Sequence, residues 1–86
     1  MAGRDKLLNK ARTSPGNLRF EEICQLAEEY GFEFKRQGGS SHRIYKHPNV
    51  FKLMNFQNVN GMAKAYQVKQ LLNAIDNLPD VEEETN

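Results

Sequence analysis

Apolar side chains recur at helical spacing early in the chain, and turn-forming residues bound the pattern. Asn17 stands where an N-cap is expected, because its side-chain oxygen can accept a backbone N–H at the start of a helix. Gly31 follows the pattern directly, in the position of a left-handed C-terminal cap. We therefore predict a helix over residues 18–30. Its apolar face carries Phe20, Ile23, Leu26, Ala27 and Tyr30.

A second amphipathic segment lies near the end of the sequence. Pro79 cannot continue a helix, so we predict a helix over residues 62–77 that ends before it. A weaker pattern over residues 4–12 predicts a short additional helix, which the T-S-P-G turn at residues 13–16 would end. The core face of the helix predicted over residues 62–77 carries Ala65, Val68, Leu72 and Ile75, with Leu71 and Leu78 beside it.

Between these helices the pattern shortens to the period of strands. Residues 32–36, F-E-F-K-R, alternate apolar and polar side chains. Residues 42–47, H-R-I-Y-K-H, and residues 50–56, V-F-K-L-M-N-F, are two further strand-like runs, and a polar loop is expected over residues 57–61. The connections are short, so neighbouring strands should pair antiparallel.

These elements predict an α+β fold with the order α-β-β-β-α. Two amphipathic helices would cover one face of a three-stranded antiparallel sheet, leaving the other face open. Residues 1–86 are expected to form a single domain, in which residues 1–16 supply the short extra helix and its turn. Residues 79–86 are acidic and nearly without apolar anchors, which predicts a mobile tail.

Composition narrows the class of protein. Cys24 is the single cysteine, so no internal disulfide can form, and this usage fits a reducing cytoplasm. Residues 1–10 lack the apolar core of a signal peptide, and no apolar run is long enough to span a bilayer. We expect a cytoplasmic protein without membrane association. Metal-ligand spacings and cofactor-binding fingerprints are not found, so neither a metal nor a small-molecule cofactor is expected.

The net charge of +1 hides a strong asymmetry along the chain. Residues 33–69 contain seven lysines and arginines against one acid, Glu33, whereas the remainder of the chain is acidic. A basic middle segment in a nearly neutral chain indicates a polyanionic partner such as nucleic acid. The alternative is an ordinary solvated surface, on which each lysine has no specific role.

One stretch combines turn residues with a titratable side chain. Residues 36–48 have the sequence R-Q-G-G-S-S-H-R-I-Y-K-H-P, in which paired glycines favour a tight turn before the strand that starts at His42. An imidazole can take or give a proton near neutral pH, and fixed positive charges around it suit work on a phosphodiester. His42 is therefore a candidate general base or acid, with a plain surface histidine as the alternative.

The second histidine is a poor partner for His42. His47 lies five residues further along the same strand, which is roughly 16 Å away and on the opposite face. The alternation places Lys46 on the face of His42, and Arg43 and Tyr45 on the other. Ser40, Ser41 and the glycine amides would either form a phosphate-binding nest or merely close the turn. The full set of candidate RNA contacts is Arg36, Gly39, Ser40, Ser41, Arg43, Lys46, Lys52 and Lys64.

The combined pattern resembles the HicA toxins of bacterial toxin–antitoxin systems. The resemblance rests on three segments: the helix predicted over residues 18–30 followed by G-F-E, the R-Q-G-G-S-S-H-R-I-Y-K-H-P stretch, and the A-K-A-Y-Q-V-K-Q-L-L helix. Its most specific part is the G-x-S-H element at residues 39–42. The chain departs from many members by one additional serine between its glycines and the histidine.

The resemblance implies a double-stranded-RNA-binding-domain-like fold and cleavage of mRNA without a metal. It also implies that His42 is the catalytic histidine and that a HicB-type antitoxin covers the active site. Two other functions remain open. One is a non-catalytic double-stranded-RNA-binding module, which needs the basic residues but not His42. The other is an interaction protein whose exposed sheet edge pairs with a partner strand.

Overall fold

The computed structural model of the 86-residue chain describes residues 2–39 and 41–78, with side chains from Lys6 onward. Three helices and four strands follow one another along the chain, and a short 3₁₀ turn, Pro15–Asn17, lies between the first two helices. In chain order they are α1 (Ala2–Thr13), α2 (Phe20–Glu29), β1 (Glu33–Gln37), β2 (His42–His47), β3 (Val50–Val59), β4 (Met62–Ala63) and α3 (Ala65–Asp76).

The strands form one antiparallel sheet in the order β1-β2-β3-β4, which confirms the α+β class but not the strand number. The predicted loop at residues 57–61 is wrong, since β3 continues to Val59 and β4 pairs with its end. Asn60 and Gly61 both have positive φ, 54° and 84°, the backbone that a tight two-residue hairpin requires. The added strand delays α3, which begins at Ala65 and not at residue 62.

The start of α2 also differs from the prediction, because Asn17 belongs to the 3₁₀ turn and does not cap the helix. Leu18 is extended, and its carbonyl accepts the backbone N–H of Ala63 at 2.9 Å. Arg19 is the N-cap residue, and its backbone N–H donates to the carboxylate of Glu22 at 2.9 Å. Pairing with β4 therefore holds the chain extended for two residues longer than the local sequence suggests.

Helices α2 and α3 pack on one face of the sheet, and the core lies between these two layers. In α3 the apolar core residues are Val68, Leu71 and Ile75. Of the residues predicted for this face, Leu72 is only half-buried and Ala65 is exposed. Gln67, a polar residue of the same helix, is also buried. The core comprises Ala11, Leu18, Phe20, Ile23, Cys24, Leu26, Ala27, Phe32, Tyr45, Met54, Phe56, Ala63, Val68, Leu71 and Ile75.

Helix α1 is longer than predicted and packs against α2 and α3. Ala11 is fully buried at this contact. Lys10 forms an ion pair with Glu22 of α2 at 2.8 Å, and Arg12 forms one with Asp76 of α3 at 2.6 Å. These exposed pairs orient α1 more than they stabilise it, because water screens them.

The acidic tail predicted for residues 79–86 lies outside the described residues. Within the described part of the chain, none of the helices combines the length and the apolarity that crossing a bilayer needs.

Removing the carboxylate of Glu22 should destabilise the fold at neutral pH. The pKa of Glu22 is lowered, first by its hydrogen bond from Lys10 and then by the backbone N–H of Arg19. Its stabilising contribution is therefore present above the ordinary glutamate pKa and is lost as the pH falls through the folded value. Glu22→Ala should cost about 1 kcal/mol at pH 7 by urea unfolding.

The matched control is Glu21→Ala, in the same first turn of α2 but exposed. The stability difference between wild type and Glu22→Ala should shrink in acid, whereas Glu21→Ala should change stability little at any pH. An equal loss in both variants would show that the first-turn charge matters and the specific contacts of Glu22 do not.

Candidate functional site

Strand β2 divides its side chains between two different surfaces. Tyr45 is fully buried against α2, where its hydroxyl donates to the Glu28 carboxylate at 2.9 Å. His42, Ile44 and Lys46 alternate with Tyr45 and therefore lie on the opposite face of the sheet. We call this the open face, because no helix within residues 2–39 and 41–78 packs over it.

Backbone hydrogen bonds fix the start of β2 from both neighbouring strands. The carbonyl of His42 accepts the backbone N–H of Gly38 at 3.0 Å. On the other side, the carbonyl of Ser41 accepts the N–H of Asn58 at 2.8 Å, and His42 pairs in register with Gln57 of β3. The His42 side chain is half-buried. The backbone of His42 is therefore held in place, which fixes the face of the sheet from which its side chain projects.

The glycine pair before His42 has two separate structural roles. Gly39 has a φ of 82°, a left-handed conformation that glycine adopts without strain. Gly38 allows close packing, because a Cβ there would lie 3.1 Å from Cδ1 of Ile44 and 3.6 Å from Cβ of His42. Ser40 lies outside the described residues. The predicted phosphate nest at this turn remains a prediction, and the N–H of Gly38 is already engaged by the strand pairing.

Gln67 supports this site from α3, and the sequence pattern did not identify it. The residue is 5% exposed, and its Oε1 accepts the backbone N–H of Gln57 at 2.8 Å. Gln57 is the register partner of His42, so this bond ties α3 to the strand beside the candidate base. The sequence offered its position, next to Val68 and four residues before Leu71 on the buried side of α3, but not its bonding partner.

The predicted cationic contacts fall into different environments. Arg36 is exposed and pairs in register with Ile44, which places it on the open face. Lys46 is on the same face, but its amine donates to the carbonyls of His47 and Val50 and so also braces the β2–β3 turn. Exposed Lys52 and Lys64 lie further away, at the start of β3 and at the N-cap of α3.

Arg43 is not brought to the face of His42. Its guanidinium carbon lies 5.3 Å from the ring centroid of Phe20 and 6.0 Å from that of Phe34, on the helix side of the sheet. These contacts give it a cation–π role at the margin of the core. Arg36, and not Arg43, is therefore the arginine placed beside the candidate base.

His47 lies on the helix side of the sheet, opposite to His42, and its contacts hold the fold together. It is 9% exposed, its ring lies 4.9 Å from that of Phe32, and its Nδ1 accepts the backbone N–H of Asn49 at 2.9 Å. Its imidazole closes the β2–β3 turn and is not directed at the open face.

Neither of the buried titratable groups in the core supplies a nucleophile. Burial raises the pKa of the Cys24 thiol, which therefore stays protonated near neutral pH. Burial, followed by hydrogen bonds to Cys24 and Glu28, raises the pKa of Tyr45 well above its ordinary value. In the described part of the chain, no group of three or more histidine, cysteine and acidic side chains is arranged to hold a metal ion.

Two further features were not expected from the sequence. Phe51 is 98% exposed and Leu53 is 52% exposed, although both belong to β3. Beside them, a groove of about 710 Å³ runs between the first half of β3 and α3. The α3 wall of the groove is Gln70, Asn73, Ala74 and Asn77.

Gly39→Val should weaken both the fold and the site. A Cβ at Gly39 would meet no atom within 4 Å, so the penalty comes only from the left-handed backbone. We expect a loss of about 1–2 kcal/mol in thermal or urea unfolding, and a displaced His42. Gly16→Val is the control, since that glycine also has open space around it but not a positive φ. Equal losses in the two variants would contradict this explanation.

Comparison with known protein families places the chain in one of them. A family model described as the HicA toxin of bacterial toxin–antitoxin systems matches residues 20–76, from the start of α2 to the end of α3. None of the curated proteins and none of the solved structures compared with the chain matches it significantly. The family match covers the sheet, both packed helices and His42, and it confirms the resemblance noted in the sequence. The chain belongs to the HicA toxin family.

Proposed function

We propose that this protein is an RNA endonuclease, a HicA toxin that cleaves mRNA with His42 as its catalytic histidine. The observation that carries the proposal is the position of His42, half-buried on the open face and fixed by backbone bonds to β1 and β3. The exposed guanidinium of Arg36 on the same face supplies positive charge for a phosphate. Family membership supports the toxin part of the proposal.

The reaction would use the RNA's own 2′-hydroxyl as nucleophile. His42 takes the proton of that hydroxyl, the 2′-oxygen attacks the adjacent phosphorus, and the bond to the 5′-oxygen breaks. The products are a 2′,3′-cyclic phosphate and a 5′-hydroxyl, so no water is consumed in this step. Arg36 stabilises the negative charge that develops on the phosphate oxygens.

The leaving 5′-oxygen must receive a proton. His47 lies on the helix side of the sheet, with its ring against Phe32, so it is not available for this step. A water molecule, or the imidazolium formed on His42, would supply the proton. The mechanism therefore needs one histidine and no metal ion.

The same open face is the proposed target of a HicB-type antitoxin in the cytoplasm. A protein that covers His42 and Arg36 would exclude RNA from both at once. The open face suits such a partner because Asn55, the register partner of Ile44, and Leu53 are exposed.

A non-catalytic double-stranded-RNA-binding module is the second candidate. It is favoured by the α+β architecture and by the excess of basic residues between Glu33 and Lys69. It gives His42 no role, so substitution of that residue separates the two functions.

His42→Ala should abolish cleavage without unfolding the protein. The test is an RNA-degradation assay in EDTA with purified wild type and His42→Ala, together with thermal unfolding of both. We expect the cleavage rate to fall by a factor of roughly 10²–10⁴, the usual contribution of general acid–base catalysis, with RNA affinity retained.

The other histidine provides the matched control. His47→Asn should lower the unfolding midpoint, because it removes the buried ring contact with Phe32, but should leave most of the activity at temperatures where it is folded. Equal cleavage by wild type and His42→Ala would contradict the assignment. RNA binding by both without cleavage would favour the binding module.

A further inference from the structure

We propose that β3 carries a base-stacking subsite, formed by Phe51 and Leu53, for single-stranded RNA that extends away from His42. The inference rests on the proposed RNA endonuclease function and adds to it the class of substrate and a second contact point. It arises from an exposed aromatic side chain that neither the core nor the proposed chemistry uses.

Phe51 is far more exposed than a structural phenylalanine. The side chain is 98% exposed and its neighbour Leu53 is 52% exposed, whereas Met54 and Phe56 of the same strand are 8% and 1% exposed. Isolated apolar residues at a surface are common, but an aromatic ring with both faces free next to a second apolar residue marks a contact surface.

The strand pairing places these residues on the open face. Val50 pairs with His47 and Met54 pairs with Tyr45, and both of these β2 residues face the helices. Residues 51–53 lie between those pairs as a bulge opposite Lys46. Strand alternation then puts Phe51 and Leu53 on the side opposite to Val50 and Met54.

The proposed subsite is continuous with the candidate catalytic position. Gln57 is the register partner of His42, and Asn55 is the partner of Ile44 on the same face. Phe51 and Gln57 are six positions apart in the sequence, which corresponds to about 20 Å along a strand. This length suits a run of several nucleotides, in the range of known single-strand binding sites of about 4–16 nucleotides.

The charges around this path fit a polyanion. Arg36 lies beside the His42 end, and Lys46 of β2 lies opposite residues 51–53. Glu33 is the only acidic residue between residues 33 and 63, and its carboxylate lies 3.6 Å from the amine of Lys35. Phosphates can follow the cations while bases contact the apolar side chains.

Stacking favours a single strand over a duplex. A free base presents its π-face to an aromatic ring, whereas a paired base in a duplex hides both faces between its neighbours. An exposed aromatic ring is therefore suited to an unpaired base.

The test uses the His42→Ala background, so that RNA is bound without being cut. The chain contains no tryptophan, so Phe51→Trp creates a single fluorescent reporter in this surface. Single-stranded oligoadenylate should quench that fluorescence and duplex RNA should not. Phe51→Ala in the same background should bind the oligonucleotide roughly 5- to 150-fold more weakly, as expected for the loss of about one stacked base.

Val59→Ala is the control, because Val59 is also an exposed apolar residue of β3, 40% exposed, but lies beyond Gln57. It should leave the affinity unchanged. Unchanged affinity in Phe51→Ala would overturn the subsite while leaving the nuclease proposal intact. Equal quenching by duplex RNA would overturn the single-strand preference.

Failure of the nuclease proposal gives a different result. In that case wild type would not cleave RNA. If the His42→Ala parent still bound oligoadenylate and Phe51→Ala weakened that binding, the subsite would stand on a non-catalytic RNA-binding protein. If the parent did not bind oligoadenylate at low salt, the subsite would be overturned as well.

Discussion

Burial of Tyr45 against α2 decides on which side of the sheet His42 lies. The two residues are three positions apart on one strand, so a side chain that enters the core on one face forces the other to the opposite face. The Tyr45 hydroxyl, bonded to Glu28, prevents a one-residue slip, because that slip would bury the imidazole and expose the phenol. The exposed position of the candidate catalytic group is thus a consequence of core packing.

Backbone hydrogen bonds, more than side-chain contacts, hold His42 in place. Glycines beside it are therefore important, because they let the backbone turn and approach closely. Gly38 lets β1 approach the side chains of Ile44 and His42, and Gly39 turns the chain between the two strands. Strand β4 pairs only with Asn58 and Val59, so the backbone N–H of Gln57 has no partner in that strand. The side chain of Gln67 accepts this N–H instead. Helix α3 therefore supports β3 at the residue that pairs with His42.

The sequence patterns predicted the element types well wherever the local periodicity was long. Strand β2 has the predicted bounds, and α2 and α3 differ only at their ends. Strand β4 was missed because two residues carry no period, although Asn60-Gly61 is a hairpin signal. Pairing of Leu18 and Arg19 with β4 overrode the capping preference of Asn17.

Side-chain roles were less predictable than elements, since they depend on contacts between segments distant in sequence. Alternation correctly separated His42 from His47 and placed Arg43 on the face away from His42. Charge alone included Arg43 among the candidate RNA contacts, although its guanidinium lies over the ring of Phe20. The hydrogen bond of Gln67 and the exposure of Phe51 both require the tertiary arrangement to be known. Ser40 lies outside the described residues, so its predicted role remains a prediction.

Chemical analysis of the cleaved RNA ends tests the role of His42 most directly. A histidine that activates the 2′-hydroxyl produces a 2′,3′-cyclic phosphate and a 5′-hydroxyl, and a single 2′-deoxy substitution at the cleaved nucleotide blocks the reaction. We expect these ends from the wild-type protein in EDTA. Fragments with 3′-hydroxyl and 5′-phosphate ends, or cleavage that persists at a 2′-deoxy position, would contradict the mechanism.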